Sequence, residues 1–116
     1  MTEGDVVLTP LPQADGKVKN RPAVILRVMP QYGDLLVCGV SSQLHQEVVG
    51  FDETIRPGDP DFVQSGLKHA SIVRLGFLVV LPAANFIGAI GTIGRDRHHR
   101  LLERLARHIA SPAAEK

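Results

Sequence analysis

The sequence predicts a small barrel, all-β or α+β, with strands first and one helix at the C-terminus. Two observations carry this prediction. Short apolar and β-branched runs, separated by Pro and Gly turn signals, fill the chain as far as Ile93. From Asp96 onward the pattern changes to helical spacing. The 116 residues fit one domain, expected at residues 1–110, followed by a short tail at residues 111–116.

The strands are predicted from apolar runs that end at prolines, glycines or polar turns. They cover residues 5–9, 21–29, 35–40, 71–81 and 89–93. The first three are separated by a polar loop at residues 13–20 and a turn around Gly33, which is typical of an antiparallel meander. The third run is almost continuously apolar, which indicates that both of its faces are covered.

The segment between the third and fourth strands is predicted to form turns. Residues 56–61 read RPGDPD, a combination of residues that favours turns. Residues 61–65 fit a single helical turn, which Gly66 ends. Because Asp59 and Asp61 flank prolines, we expect them to cap this turn and to face solvent.

The C-terminal helix is predicted from one apolar stripe, formed by Leu101, Leu102, Leu105, Ala106 and Ile109. Asp96 is expected as its N-cap or as an acid in its first turn, and Ser111-Pro112 stops it. The helix also carries an excess of arginines. They form either a phosphate-facing surface or a solvated face whose stems cover apolar surface, and the second interpretation is favoured because Arg is a good helix former.

Composition limits the function classes. Thirteen Lys+Arg against twelve Asp+Glu give a net charge of +1, so nucleic acid would be bound through a local patch. Four Phe, one Tyr and no Trp argue against a surface of stacked aromatic platforms. The lone Cys38 lies in an apolar run and is expected to be buried and inert. Without a signal-like N-terminus or a membrane-length apolar run, we expect a cytoplasmic protein that does not enter the membrane.

No metal-site, phosphate-loop or nucleophile-elbow motif is present, so neither a metal nor a cofactor is expected. The positions of arginines and hydroxyls stand out instead. Arg21 lies where a polar loop enters a strand, and Ser41 lies where a buried strand ends. Arg74 interrupts the apolar run SIVRLGF and needs either a partner or open water. On pattern alone, an edge strand with Arg74 facing solvent is favoured.

Five segments together resemble the MazF/PemK family of toxins. They are GDVVLTPLP, NRPAVIL, YGDLLVCGVSSQ, DFVQSGLKHASIVRL and IGTIGRDRHHRLLERLARHIA. The resemblance implies a mostly β, α+β fold, a small curved SH3-like barrel with a C-terminal helix. It also implies a homodimer, a cognate antitoxin as partner, and sequence-selective, metal-independent cleavage of single-stranded RNA through the 2′-OH.

The resemblance further assigns roles to positions of this chain. Arg21 falls on the family's catalytic Arg, Ser41 on its catalytic hydroxyl, and Arg74 on the second Arg of the PemK-like branch. That branch has an Asp two residues later, where this chain has Gly76. The residues expected to contact RNA are Lys17, Lys19, Asn20, Ser42 and Gln43.

Two other functions stay open on the sequence. One is a family member that has lost catalysis and binds protein or RNA, marked by Gly76 and Ser41. The other is an inhibitor of a protein target such as gyrase, since toxins of a related fold act in that way. For the general base, His45 and His69 have the chemically suitable side chain, and the family fixes neither position.

Overall fold

Six antiparallel strands form one curled sheet in the order β4-β5-β3-β2-β1-β6. The structure is a computed structural model that describes residues 1–113. The strands are β1 Asp5–Pro12, β2 Val18–Val28, β3 Leu35–Ser41, β4 Glu53–Ile55, β5 Ser71–Leu81 and β6 Gly88–Thr92, and the helix is α1 Arg95–Ala110. Short 3₁₀ turns lie at Leu44–Gln46 and Ala83–Asn85. The mostly β fold with one C-terminal helix is therefore confirmed, and the sheet curls into a half-barrel. Of the expected tail, residues 114–116 lie outside the described residues.

The predicted polar loop at residues 13–20 is wrong in its extent. The Gln13 N–H donates to the Lys17 carbonyl oxygen over 2.8 Å, which closes a tight turn, and β2 begins at Val18. Lys19 and Asn20 are strand residues that pair with β1. Pairing across the hairpin overrides the low strand propensity of these polar residues, because tertiary context outweighs propensity.

Pro10 and Pro12 were expected to end the first strand, but β1 continues through both. The reason lies in the pairing of β1. Strand β6 covers only Asp5 to Leu8, so the two prolines lie where β1 has a single neighbour. A missing N–H on the open side of a strand breaks no ladder.

Strand β4 was not predicted. It is three residues long and begins with the acidic Glu53, so neither its length nor its composition is typical of a strand. It forms because Thr54 pairs with Ile72 on the edge of β5. The pairing brings Glu53 beneath the C-terminal helix, where its carboxylate has partners.

Both faces of β3 are covered, as its sequence predicted. On one face Val24, Cys38 and Leu75 pack with Leu101 and Leu105 of α1. On the other face a second cluster packs together, consisting of Val7, Ala23, Ile25, Leu35, Val37 and Phe86. Burial raises the pKa of the Cys38 thiol to about 12, which matches the inert thiol expected.

The apolar stripe of α1 is only partly buried. Leu101 and Leu105 are buried and Leu102 is partly so, but Ala106 is exposed and Ile109 is 70% exposed. Asp96 lies in the first turn, while Gly94 occupies the N-cap position. No helix among residues 1–113 is long and apolar enough to cross a membrane.

The turn at residues 61–66 crosses the outer side of β6 at very short range. A Cβ atom on Gly66 would lie 2.1 Å from the Ile90 carbonyl oxygen, and one on Gly91 would lie 2.3 Å from the Gln64 carbonyl oxygen. The Thr92 N–H donates to the same Gln64 oxygen over 2.8 Å. Glycine is therefore required at both positions, because the two backbones touch.

The expected solvation of Asp59 and Asp61 is wrong for Asp61, which is buried against Arg97 of the helix. Arg97 Nε donates to Asp61 Oδ2 over 2.8 Å, and Nη2 reaches Asp59 Oδ2 over 3.1 Å. Burial disfavours the charged carboxyl, but hydrogen bonds from Arg97 and from the Gly94 N–H outweigh that penalty and lower the pKa of Asp61. Asp61 thus anchors the start of α1 instead of solvating a turn.

The same correction applies to three arginines of α1, whereas Arg95 and Arg107 are exposed, as expected of a solvated face. Arg97 Nη1 lies 3.1 Å from Glu53 Oε1, Arg100 Nη2 lies 2.9 Å from that atom, and Arg104 Nη1 lies 2.8 Å from Glu53 Oε2. One buried carboxylate therefore holds three turns of the helix. These arginines form neither a phosphate-facing surface nor a freely solvated face.

Candidate functional site

A cleft of about 360 Å³ opens between the β1–β2 hairpin, the end of β3 and the middle of β5. Its lining comprises residues 12–14, Arg21, residues 39–43, Gln46, Arg74 and Phe77. Among these described residues the two arginines are the charged side chains, so the cleft is positive. It suits an anionic, polar ligand better than an apolar one.

Strand register explains why the two arginines and the serine meet. Ala23 of β2 pairs with Gly39 of β3, and continuing this register by two residues sets Arg21 opposite Ser41. Gly39 in turn pairs with Arg74 of β5. Directly paired residues project from the same face of a sheet. Residues far apart in sequence therefore share one face at one end of the sheet.

An irregularity in β5 shapes the floor of the cleft. Gly39 pairs with Arg74, but the next residue, Cys38, pairs with Leu78, so residues 75–77 form a bulge. The bulge brings Phe77 over Gly39, where a Cβ atom would lie 3.2 Å from Phe77 Cδ1. Glycine at position 39 gives the ring its room.

Both cleft arginines have weak, uncharged partners. Arg21 Nη2 donates to Gln13 Oε1 over 3.4 Å, and Arg74 Nη1 donates to Gln46 Oε1 over 3.4 Å. By contrast, Arg97 meets carboxylates at 2.8–3.1 Å. Because long bonds to neutral amides are weak, an arriving phosphate can replace them at small cost.

Ser41 contributes a hydroxyl to the same cleft. Its Oγ accepts a hydrogen bond from the Gln43 N–H over 3.1 Å. The bond uses an oxygen lone pair and leaves the hydroxyl hydrogen to donate. It also fixes the loop after β3, so that Ser42 and Gln43 line the same cleft.

The buried carboxylate of Asp52 joins the segment after β3 to the bulge in β5. Asp52, which is 4% exposed, accepts the Leu75 N–H at Oδ1 over 3.1 Å and the Val48 N–H at Oδ2 over 2.9 Å. Leu75 is the residue directly after Arg74. Asp52 therefore holds the backbone on which Arg74 is mounted. The sequence carried no signal for this role, since the Leu75 N–H that Asp52 accepts lies 23 residues away.

The structure brings together Arg21, Ser41, Arg74, Ser42 and Gln43 of the sequence-predicted site. The expected RNA contacts Lys17, Lys19 and Asn20 lie outside the cleft, exposed on the β1–β2 hairpin. The cleft residues that sequence reasoning missed include Phe77 and the two amides that accept from the arginines, Gln13 and Gln46.

Other sequence candidates lie elsewhere. His45 and His69 are exposed and do not line the cleft. At Arg74 the strand β5 has β3 as its single neighbour, because β4 pairs only as far as Val73, so the edge position agrees with the expectation. The residue is half-buried and lines the cleft. Within residues 1–113, no group of three or more His, Cys, Asp or Glu is placed to hold a metal ion.

Comparison with known proteins gives a family and a fold. The family model for the PemK-like, MazF-like toxin of type II toxin–antitoxin systems matches residues 2–109. The Mycobacterium tuberculosis toxin MazF-mt6 superposes with a TM-score of 0.66 at 18% identity, over 90% of this chain and 95% of that one. An endoribonuclease in complex with its cognate antitoxin from Mycobacterial species gives 0.66 at 12% identity, over 98% and 99%. No curated protein sequence matches this chain. At these identities the solved structures show a shared fold.

Proposed function

The chain belongs to the PemK-like, MazF-like toxins of type II toxin–antitoxin systems, and we propose that it is a metal-independent endoribonuclease that cleaves single-stranded RNA. The observation that carries the proposal is the cleft. Arg21 and Arg74 face it with weakly held guanidinium groups, and Ser41 faces it with a hydroxyl that can donate. Arginine forks match the oxygens of a phosphodiester.

In the proposed reaction the 2′-oxygen of the RNA attacks the adjacent phosphorus as its hydroxyl proton passes to a water molecule. The bond from phosphorus to the 5′-oxygen breaks, and the 5′-oxygen takes up a proton. The products are a 2′,3′-cyclic phosphate and a 5′-hydroxyl. Arg21 and Arg74 donate to the non-bridging oxygens, and Ser41 donates one more hydrogen bond to the developing negative charge.

Gly76 bears on the proton transfers. Its position, which holds an Asp in the PemK-like branch, is exposed and supplies no carboxylate here. The side chains facing the cleft thus favour catalysis by charge stabilisation, which preorganised donors supply in many enzymes. Because DNA lacks the attacking hydroxyl, it is expected to be inert as a substrate.

The polar side chains of the cleft are proposed to select the RNA sequence, and the residues of the neighbouring hairpin are proposed to bind its phosphates. Ser42 and Gln43 lie where base edges can be read. Lys17, Lys19 and Asn20, on the neighbouring hairpin, contact phosphates further along the strand. Phosphate contacts position a nucleic acid, while base contacts specify its sequence.

The biological setting follows from the family. We propose a cytoplasmic toxin whose partner is a cognate antitoxin, as in the mycobacterial complex of similar fold. We also propose a homodimer, in which two weakly charged subunits, each with a net charge of +1, combine their basic clefts into a larger surface for RNA. Sedimentation at micromolar concentration tests the dimer, and a purely monomeric protein would contradict it.

The activity is tested by incubating the protein with a long single-stranded RNA and with its DNA counterpart in excess EDTA. We expect discrete RNA fragments with cyclic-phosphate and 5′-hydroxyl ends, and intact DNA. Arg21→Ala should abolish cleavage and keep the fold, because Arg21 is exposed. Arg27→Ala is the matched control, since Arg27 lies near the other end of β2 and pairs with Glu3. Intact RNA with folded protein would favour the binding-module function.

A further inference from the structure

We propose that the Phe77 ring is a stacking platform for one nucleobase of the bound RNA and thereby sets the register of the strand over Arg74. The proposal rests on the proposed function and adds a residue to it. Phe77 lines the cleft together with both arginines. It follows Arg74 by three residues, and the bulge turns both side chains toward the same cleft.

Among the described residues, Phe77 and Phe62 are the phenylalanines that neither core cluster includes, and of these two Phe77 lines the cleft. By contrast, its neighbours Leu75 and Val79 pack in or against these clusters. Its side chain stays partly exposed. Large aromatic side chains normally supply core burial. A partly exposed phenylalanine beside two weakly partnered arginines therefore serves a ligand better than it serves the core.

Gly39 makes this position a built feature. A Cβ atom at position 39 would lie 3.2 Å from Phe77 Cδ1 and 3.4 Å from Cγ, which is tighter than ordinary van der Waals contact. A Cβ atom at this position would require the ring to shift. The ring thus rests on the bare backbone of β3 and forms part of the cleft floor, with the cleft open above it.

The chemistry of a base fits this floor. A nucleotide places a flat aromatic base beside its charged phosphate, and the cleft places an aromatic ring beside two guanidinium groups. Stacking tolerates every base, because each base has a π-face. Phe77 is therefore expected to strengthen binding when any base is present at one position of the RNA. Ser42 and Gln43 are expected to select which base it is.

The scarcity of aromatic residues argued against recognition by stacking. A row of platforms is indeed not formed in the described part of the chain, but one platform needs only one ring. Tyr32 offers a matched control, because it is 82% exposed in the turn between β2 and β3, far along both strands from the cleft.

The test measures binding of an RNA whose 2′-hydroxyls are methylated, so that it is bound and not cut. Anisotropy is recorded for the intact oligonucleotide and for a series with one abasic nucleotide at each position. We expect wild-type protein to lose affinity, roughly 5- to 150-fold, at one abasic position. Phe77→Leu should show a similar loss with intact RNA and no further loss at that position. Tyr32→Leu should behave as wild type.

A fluorescence experiment provides a second, independent test. The chain contains no tryptophan, so Phe77→Trp introduces a single tryptophan at the proposed platform, whose emission can be excited apart from that of the one tyrosine. We expect its emission to be quenched by intact RNA and unchanged by the oligonucleotide lacking that base. Tyr32→Trp should respond to neither.

The outcomes separate the two proposals. If wild-type protein neither binds nor cleaves RNA, the proposed function and this inference both fail. If it binds and cleaves, but the abasic loss in Phe77→Leu equals that of wild type and Phe77→Trp is not quenched, only the role of Phe77 is wrong. A misfolded Phe77→Leu leaves the decision to Phe77→Trp.

Discussion

Replacing Arg97 with leucine is expected to lower the free energy of unfolding by about 3–5 kcal/mol. The Arg97 side chain is 8% exposed, and its three nitrogens donate to Asp61, Asp59, Glu53 and the Thr54 carbonyl oxygen. A leucine removes every one of these bonds at once. It leaves carboxylates in a site that excludes most water.

The acidic partners of Arg97 do not all lose their remaining contacts, and this difference sets the size of the expected loss in the free energy of unfolding. Glu53 keeps Arg100 and Arg104 at 2.9 and 2.8 Å, and Asp59 is 35% exposed and can be solvated. Asp61, which is 8% exposed, keeps the Gly94 N–H at 2.9 Å and its own backbone N–H, and it has no other ion-pair partner among residues 1–113. The expected cost is therefore that of one buried carboxylate left without its cation.

The assay is chemical and thermal denaturation followed by circular dichroism. For a chain of this length, that loss corresponds to a melting temperature roughly 12–20 °C lower. Arg95→Leu is the control, because Arg95 is an exposed arginine of the same helix turn, and it should change stability by less than about 0.5 kcal/mol. The double substitution Arg97→Leu with Asp61→Leu should recover part of the loss, since it removes the stranded charge.

Two results would refute this reasoning. A loss in Arg97→Leu as small as that in Arg95→Leu would mean that the ion pairs contribute no more than surface charges do. A double variant that is no more stable than Arg97→Leu alone would mean that the removal of Arg97 does not strand Asp61.

Acid should destabilise the protein, because the pKa of Asp61 is lowered in the folded state and the unfolded chain therefore binds more protons. The free energy of unfolding, measured by urea titration at each pH, should fall from about pH 5 downward, and it should fall less steeply in Arg97→Leu. Thr9→Val should leave stability unchanged or raise it by about 1 kcal/mol, because the Thr9 hydroxyl is buried and has no partner among the described residues; a clear loss in denaturant melts would reveal a partner. Gly76→Asp should fold normally, since a Cβ atom at this position meets nothing within 4 Å. It should cleave RNA roughly tenfold faster or more, because it adds a carboxylate two residues beyond Arg74. An unchanged initial rate would mean that this carboxylate does not reach the 2′-hydroxyl.

The sequence was informative where local pattern and tertiary structure agree. Strand β5 was predicted at its observed bounds, because it is a long, mostly apolar run of eleven residues that a proline follows. Strand β4 escaped prediction because three residues carry no period, and it exists only through its pairing with β5. The burial of Asp61 escaped for a similar reason, since its partner Arg97 is 36 residues away.

The site shows the same division. Arg21, Ser41 and Arg74 were chosen from the resemblance, and the register of three strands accounts for their meeting in one cleft. Phe77 was not chosen, because its place depends on a bulge that shifts the register of β5. A bulge of this kind leaves no mark in an apolar run, so the orientation of the residues that follow it cannot be read from the sequence.

The close crossing of Gly66 and Gly91 bears on how this protein avoids polymerisation. A curled sheet has two outer strands whose free backbone groups are a template for strands of other chains. Here the chain occupies both templates itself, with the Gln64 carbonyl oxygen bonded to Thr92 of β6 and with Arg97 bonded to the Thr54 carbonyl oxygen of β4. Addition of a strand from another chain at either outer strand would first have to break one of these two hydrogen bonds.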